Sequence, residues 1–374
     1  MCAARNRTIA TGGDRDRLVD FLRAFAICVV IVWHWSLSIV HRDADGILVM
    51  PNPLADLPFF WPATWVLQVV PLFFIAGGYA NLTMWRSIGV KGYGWREFYR
   101  RRFRRLLIPV AVFVAVWTVF ELIGQLFVSD YRSAAIWADI VFRPMWFVVA
   151  YAWVVLLVPL TARLHEHRPA LTICALGVTV ALVDGGGFGL DISWLGWVNS
   201  ALVWVFVHQL GYALRDGFGA AWSVGRRLAF LGTTLAVLTG LTSLESYPSS
   251  LVAHRDTALS RMYPTTAVVG AAAVFQLSIA LLARPWLERC GRGRAWAGVE
   301  AINDVVLTLF LWHMTALVLA VWTVERLGFG LEATTGAAWW LNRPLWVFLP
   351  ALFLAALVAL FAPFERRSRF NPLN

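Results

Sequence analysis

Three ionisable side chains interrupt one apolar stretch of the sequence, residues 18–40, and their types suit acid–base chemistry and anion binding. Asp20, Arg23 and His34 stand in DRLVDFLRAFAICVVIVWHW, where almost every other residue is apolar. If this stretch crosses a membrane, each ionisable group in it costs about 2.5–3.5 kcal/mol and is a functional candidate for that reason. At about 100° per residue, Arg23 and His34 project about 20° apart and share one helix face.

The axial distance between these two side chains limits what they can do together. Eleven residues at a rise of about 1.5 Å place His34 about 16.5 Å deeper than Arg23, so their side chains cannot easily touch. Both could contact one long ligand that has an anionic end and a reactive end. A buried, neutral histidine suits a general base that takes a proton from a hydroxyl. Asp20 is expected to pair with Arg23 at i, i+3 and to orient it.

A second candidate for anion binding is the arginine-rich segment REFYRRRFRRLLIP. Arg101, Arg102, Arg104 and Arg105 stand closest to the apolar stretch that follows. Guanidinium groups bind phosphate oxygens through two parallel hydrogen bonds, so these arginines could hold a phosphate ligand. Structural interpretations stay open for all these residues. Cytoplasmic positive charge explains most arginine clusters, Arg23 could reach lipid headgroups, and His34 could be a histidine of helix packing.

The composition decides what kind of elements must position these residues. The 374 residues are 59% hydrophobic and only 14% charged, and the mean hydropathy is +0.66. A soluble surface needs about a quarter of all residues charged, so soluble enzymes and nucleic-acid-binding domains are excluded. The net charge is +10, and the charged residues lie in short clusters between apolar stretches. This pattern is typical of membrane topology rather than of a nucleic-acid partner.

Ten stretches approach the length of about 20 residues that a membrane helix needs. They are residues 18–40, 59–85, 106–128, 144–162, 169–190, 192–214, 228–245, 262–283, 302–322 and 344–363. With the N-terminus inside, 24 of the 32 basic residues fall on the cytoplasmic side, which predicts that both termini are cytoplasmic. The fifth helix is expected to end near residue 183, before Asp184 and a glycine cluster. The sequence thus predicts an all-α polytopic bundle over residues 18–363, between cytoplasmic tails 1–17 and 364–374.

Three motifs in this order resemble the acyltransferase family 3 integral membrane proteins. The first is LVDFLRAFAICVVIVWHW with Arg23 and His34, the second is PLFFIAGGYAN with Phe74 and Tyr79, and the third is FYRRRFRRLLIP. Weaker similarities surround Trp146 and His313. The sequence departs from the family pattern at Gly77, where the family usually has serine. No esterase-like domain follows the last span, so the chain resembles the stand-alone members.

The resemblance implies acyl transfer from cytoplasmic acyl-CoA, often acetyl-CoA, to a hydroxyl. The acceptor would be a carbohydrate, a glycolipid or a secondary metabolite, commonly in the bacterial cell envelope, and the site would be in the bacterial cytoplasmic membrane. The CoA phosphates would bind at Arg101 to Arg105, near the cytoplasmic surface. Arg23 would contact the acyl-CoA just inside the membrane, and the thioester would extend toward His34. No metal is expected. The residues do not decide between direct transfer and a covalent acyl-enzyme, nor do they indicate an oligomeric state.

Further polar and aromatic residues are secondary candidates, each more often a packing residue than a chemical one. They are Phe74, Tyr79, Glu121, Trp146, Tyr151 and His313. Asp304, just before the ninth span, is expected to be solvated at the membrane interface. The HEH triplet, residues 165–167, lacks the HExxH spacing of a zinc-binding helix and is expected to be solvated in a short basic loop. Two other function classes stay open. They are a transporter or flippase whose arginines bind an anionic substrate, and a non-catalytic scaffold.

Overall fold

The computed structural model describes residues 16–53, 57, 60–128, 137–190, 192–247, 249–252, 265–290 and 293–369. Over these residues the chain forms fourteen α-helices and one short hairpin. The helices are α1 (Arg17–Ser36), α2 (Trp61–Leu67), α3 (Val70–Val90), α4 (Trp95–Phe127), α5 (Asp139–Phe142), α6 (Met145–His167), α7 (Pro169–Gly189), α8 (Ser193–Arg215), α9 (Val224–Thr242), α10 (Ala267–Cys290), α11 (Arg294–Asp304), α12 (Val306–Arg326), α13 (Ala337–Leu341) and α14 (Arg343–Arg369). The antiparallel hairpin pairs β1 (His41–Arg42) with β2 (Leu48–Val49).

Each predicted span coincides with a long helix, and the all-α polytopic class is confirmed. In the described part of the chain, eight helical stretches are long and apolar enough to cross a membrane. Of the helices that lie on predicted spans, α8 and α9, on the sixth and seventh, are outside this set. α8 buries Asn199, His208 and Gln209 in the bundle, so its polar residues face other helices rather than lipid. The cytoplasmic location of the two termini and the limits of the two tails stay predictions.

The second predicted span is divided in two by its prolines. Pro62 and Pro71 stand in the first turns of α2 and α3, because a proline has no N–H to continue a preceding helix. Two residues separate the helices, and the break exposes backbone carbonyls. Nε2 of Gln276 donates to the carbonyl oxygens of Trp65 and Gln68 at 2.9 and 2.8 Å. The polar backbone of the break is thus satisfied inside the bundle.

The third helix starts earlier than its predicted span. α4 begins at Trp95 rather than near residue 106, so the arginine-rich segment is itself helical. Its 33 residues extend about 50 Å, whereas the hydrocarbon core is about 30 Å thick. The first turns of α4 therefore project beyond the apolar layer. Arg102 and Arg105, one turn apart, share one face of this helix.

The expectation that the fifth helix ends near residue 183 is wrong, because α7 continues to Gly189. A helix satisfies its own backbone groups, which an irregular segment at membrane depth cannot do. The carboxylate of Asp184 does not break the helix because it is buried and fully engaged. It accepts hydrogen bonds from Asn199, from the Tyr247 hydroxyl at 3.1 Å and from the Ala267 N–H at 2.5 Å. This carboxylate joins α7, α8, α10 and the loop after α9.

The first helix lies in the interior of the bundle. α1 packs against α3, α10, α11, α12 and α14, and its apolar residues Leu22, Ile27 and Ile31 are buried there. Asp20 and His34 are half-buried on the same helix. The ionisable face predicted from the sequence therefore points among helices rather than into lipid.

The most extensive helix pair is α3 with α8, and two glycines allow its close approach. A Cβ on Gly78 would lie 2.1 Å from the backbone oxygen of His208, and one on Gly211 would lie 2.0 Å from the backbone oxygen of Ile75. No side chain fits at either position. Small residues at such contacts are the usual means by which membrane helices associate.

Replacing the buried carboxylate of α7 tests how strongly it holds the bundle. Asp184→Ala removes the acceptor of three hydrogen bonds, so we expect the free energy of unfolding to fall by about 2–4 kcal/mol. The measurement is thermal unfolding of purified protein in detergent. Thr179→Ala on the same helix is the control, because its exposed hydroxyl bonds only to the carbonyl of Ala175. An equal loss of stability in both variants would contradict the role given to Asp184.

Candidate active site

A cavity of about 370 Å³ lies among α1, α3, α4, α6, α11, α12 and α14. Its wall is divided into a polar part and an apolar part. The polar part consists of Asp20, Arg23, Arg102, Arg105, Tyr151, Asn303, Asp304, Glu365 and Ser368. The apolar part consists of Phe73, Gly77, Ala80, Leu106, Phe147, Val306, Leu307 and Phe310. The cavity thus brings the ionisable residues at the start of α1 together with the arginines of α4.

The four arginines of the predicted cluster point in different directions. Arg102 and Arg105 line the cavity. Nε of Arg101 instead donates to the carboxylate of Glu97 at 2.5 Å, one turn earlier on α4, and Arg104 is exposed. The helical period explains this division, because residues 102 and 105 lie on one face whereas 101 and 104 lie beside it. Two of the four predicted arginines are therefore in a position to meet a ligand in the cavity.

Arg102 is fixed in the wall by an aromatic partner. Its guanidinium donates to the Tyr151 hydroxyl and lies over the same ring, 5.6 Å from the ring centroid. The Tyr151 hydroxyl also accepts from Nδ2 of Asn81 at 3.4 Å, and this amide is 2.9 Å from Nε2 of His208. A chain of polar contacts therefore runs from the buried α3–α8 pair to the cavity wall.

Gly77 makes room for this tyrosine. A Cβ at position 77 would lie 2.6 Å from Cε2 of Tyr151 and 2.9 Å from its hydroxyl oxygen. The ring cannot easily retreat, because it stacks on Phe147 and meets the edge of Phe74. The glycine that departs from the serine of the family pattern is thus matched to the position of Tyr151 in this chain.

Two polar side chains of the wall also connect its helices. Glu365, on α14, accepts from the N–H of Thr308 at 2.8 Å and from its hydroxyl at 2.7 Å. These bonds satisfy donors in the first turn of α12. Nδ2 of Asn303 donates to the backbone oxygen of Asp20 at 2.8 Å and ties α11 to α1. The wall therefore joins α1, at the start of the described chain, to α11, and α12 to α14.

The two candidate histidines lie side by side on α1 and α12. Nε2 of His313 is 3.2 Å from Nδ1 of His34, and the ring centroids are 5.1 Å apart. Nδ1 of His313 is 2.6 Å from the backbone oxygen of Phe310, a residue of the cavity wall. His34 itself is not among the lining residues. The histidine pair therefore stands behind the aromatic end of the cavity.

The other secondary candidates lie outside the cavity wall. Phe74 is buried and stacks on Trp204 at 4.4 Å between ring centroids, and Trp146 is 6.1 Å from the same ring. Tyr79 lies beneath the guanidinium of Arg215. Glu121, in the outer part of α4, accepts from Nε2 of Gln125 at 2.8 Å. In the structure these four residues contact packing partners rather than the cavity.

The expectations of solvated positions need two corrections. Asp304 is half-buried and lines the cavity, because the end of α11 turns toward α1. His165 is buried, with Nε2 at 3.3 Å from the carboxylate of Asp216, because α6 continues as a helix through the HEH triplet and points this ring inward. Burial would raise the pKa of Asp216, but hydrogen bonds from His165 and Arg86 lower it below the usual value. His167 is exposed, as expected.

Sequence reasoning missed several residues of the site. Asn303 and Glu365 lie at the ends of apolar segments, where the sequence gives no signal that distinguishes them from solvated groups. His208 did carry a signal, because it stands inside the sixth predicted span in the same way that His34 stands inside the first. Among the described residues, no group of three or more His, Cys, Asp or Glu side chains could hold a metal ion.

Comparison with known families adds the class of chemistry. The sequence profile of an acyltransferase domain, acyltransferase family 3, matches residues 17–362 of the 374-residue chain. The chain belongs to acyltransferase family 3. The match runs from the start of α1 into α14, so it reaches every helix that lines the cavity, although the lining residues Glu365 and Ser368 follow its end. No curated protein and no solved structure shows a significant similarity. The protein is a membrane acyltransferase of this family, as the motifs around Arg23 and His34 indicated.

The fit between Gly77 and Tyr151 can be tested by a double-mutant comparison. Gly77→Ala places a methyl group against the tyrosine ring, so we expect a loss of about 1–3 kcal/mol in stability. In a Tyr151→Ala background the same methyl meets open space, and the loss should disappear. Thermal unfolding in detergent measures both. Gly89→Ala on the same helix is the control, since nothing lies within 4 Å of its added Cβ. Equal losses with and without Tyr151 would refute the fit.

Proposed function

We propose that this acyltransferase moves an acyl group, in the simplest case acetyl, from cytoplasmic acyl-CoA to a hydroxyl of a carbohydrate, a glycolipid or another cell-envelope or secondary-metabolite acceptor. The proposed location is the bacterial cytoplasmic membrane. The observation that carries the proposal is the convergence of Arg23, Arg102 and Arg105 on one cavity of a family member. An acyl-CoA offers phosphates to such guanidinium groups at one end and a thioester at the other.

The arginines act in this proposal through directed hydrogen bonds rather than through a large positive field. Asp20, Asp304 and Glu365 share the wall with the three arginines, so the positive and negative charges of the wall are nearly balanced. A guanidinium still presents a planar set of donors that matches two phosphate oxygens. Arg102 is already held in place by Tyr151, which reduces the entropy that binding must remove.

The apolar part of the wall suits the remainder of the donor. The ring of Phe147 lies 5.6 Å from that of Phe73 and 5.0 Å from that of Phe310 between centroids, and Phe310 is in contact with His313 of the histidine pair. A narrow, uncharged arm that carries the thioester can pass between aromatic side chains, whereas the phosphates stay with the arginines. In this proposal the aromatic side chains shield the thioester from bulk water, which favours transfer over hydrolysis.

His34 is the proposed general base. The acceptor hydroxyl attacks the thioester carbonyl, so that a C–O bond forms and the C–S bond breaks. His34 takes the hydroxyl proton and passes it to the leaving thiolate of CoA. If the acyl group passes first to the enzyme, the same base serves the step in which the acceptor attacks. Arg23 holds the donor in this scheme, and Asp20, one turn earlier on α1, orients Arg23.

A transporter or flippase for an anionic envelope precursor could use the same arginines. Family membership favours catalysis, because the matched profile is that of an acyltransferase domain and reaches every helix that lines the cavity. Covalent turnover separates the two functions, since transport alone leaves the chemical identity of its substrate unchanged.

Removal of the proposed base should abolish transfer but leave donor binding intact. We expect His34→Ala to lower the rate of acyl transfer by about 10²–10⁴-fold, measured by mass spectrometry of the acylated product in cells and by release of CoA from acetyl-CoA in purified protein. His167→Ala is the matched control, because this histidine is exposed on α6. An unchanged amount of product in His34→Ala would exclude the proposed mechanism.

Removal of Arg23 should weaken donor binding. We expect Arg23→Ala to raise the Kd for CoA at least about tenfold, which corresponds to about 1.4 kcal/mol, measured by calorimetry on purified protein. Arg104→Ala is the control, because this arginine belongs to the same basic segment but is exposed outside the cavity wall. If both variants bind CoA as tightly as the native chain does, Arg23 does not bind the acyl donor.

A further inference from the structure

The contact between His34 and His313 restricts where the ring protons can lie. Nδ1 of His313 is 2.6 Å from the backbone oxygen of Phe310. A carbonyl oxygen can only accept, so Nδ1 of His313 must carry a hydrogen. The second nitrogen of the same ring, Nε2, lies 3.2 Å from Nδ1 of His34. The protonation of one ring therefore determines the hydrogen bond that it offers to the other.

Both imidazoles are expected to be neutral in the resting protein. His313 is completely buried between α1 and α12, and an isolated charge in such a place is costly. His34 stands inside the membrane-spanning helix α1, where an imidazolium is disfavoured for the same reason. A neutral imidazole has one N–H and one bare nitrogen. Because Nδ1 of His313 holds its hydrogen, Nε2 of His313 is bare and accepts.

The consequence falls on His34. A bare Nε2 on His313 requires a donor, so Nδ1 of His34 carries the hydrogen of that ring. Its other nitrogen, Nε2, then keeps a free lone pair. We propose that His313 is a positioning residue that fixes His34 in the tautomer whose Nε2 takes the proton of the acceptor hydroxyl. This inference rests on the acyl transfer proposed above and adds to it a residue that orients the base.

Burial assigns the two rings their different roles. His313 has no exposed surface, whereas His34 is only half-buried, so only His34 can meet a substrate. A second contact fixes the two helices relative to each other. Nε1 of Trp35 donates to the backbone oxygen of His313 at 3.0 Å. α1 and α12 are thus joined by two hydrogen bonds from adjacent residues of α1, which hold the rings in register.

The contact between the two rings also stabilises the positive charge that His34 acquires during the reaction. When Nε2 of His34 takes a proton, the ring becomes an imidazolium, and its Nδ1–H donates more strongly to Nε2 of His313. The Nδ1–H of His313 in turn donates to the carbonyl of Phe310. The positive charge is thereby spread along a chain of three groups. In serine hydrolases a buried acceptor on the distal nitrogen of the catalytic histidine has the same orienting effect.

The native protein provides the direct test. Solid-state 15N spectra of histidine-labelled protein in lipid bilayers distinguish N–H from bare ring nitrogens, and the His34 signals are those that disappear in His34→Gln. We expect a protonated Nδ1 and a bare Nε2 on His34. A protonated Nε2 on neutral His34 would overturn the inference, whatever the activity. This measurement does not depend on the folding of any variant of His313.

Variants of His313 test the effect on the reaction. We expect His313→Ala to lower kcat at least about tenfold with the KM for acetyl-CoA unchanged, and to release His34 from its single tautomer. His313→Gln, whose amide can accept from His34 and donate to Phe310, should restore part of the kcat. If His313→Ala leaves both kcat and the His34 tautomer unchanged, the inference is wrong. If the tautomer is as expected but the native protein neither releases CoA from acetyl-CoA nor yields an acylated product, the proposed function fails and the tautomer assigned to His34 stands.

Discussion

A membrane interior has no water to satisfy polar groups, and most of this structure depends on that constraint. The backbone meets it by forming helices, including the glycine-rich end of α7 and the break before α3, where Gln276 supplies the missing donors. The buried carboxylates meet it by accepting hydrogen bonds from polar groups of neighbouring helices and loops. Asp184 accepts three hydrogen bonds, and Glu365 holds the start of α12. The groups that remain for chemistry are those that line the cavity or stand behind it.

Close approach of two helices links the core of the bundle to the site. Lipid gives helices no hydrophobic reason to associate, so their contacts depend on tight packing and on polar bonds between helices. Gly78 and Gly211 allow α3 and α8 to meet at backbone distance. From this contact the polar chain leads through Asn81 and Tyr151 to Arg102 in the cavity wall. The orientation of Arg102 is thus coupled to the packing of α8, a helix that does not line the cavity.

The site has two chemically different halves along α1. Arginines and carboxylates surround the end near Arg23, whereas the end near His34 has a histidine pair behind aromatic rings. A long donor that is charged at one end and reactive at the other matches this division. The rise of α1 sets the spacing of the two halves, and α12 supplies the second histidine. α1 therefore sets the distance between the two halves, and α12 places His313 against His34, the proposed base.

The sequence by itself determined the features that depend on the regularity of a single helix. Its apolar stretches predicted the ten long helices that the described residues form, and the spacing of Arg23 and His34 placed both on one face of α1. The motifs around them identified the family. Failures arose at helix ends, where Asp184, Asp304 and His165 were expected to break a helix or to be solvated. At such positions the preference of a residue for water is opposed by partners that the local sequence does not contain.

Only the tertiary structure decided which of these residues meet. His34 and His313 are 279 residues apart in the chain, and Glu365 reaches α12 from the last helix. The period of a helix fixes the direction of a side chain relative to its own axis. It does not fix the rotation or the separation of two helices, which result from the packing of many side chains at once. The sequence therefore indicated the residue types and the chemistry, whereas the packing of α1, α4 and α12 selected Arg102, Arg105 and His313 as the neighbours of the site.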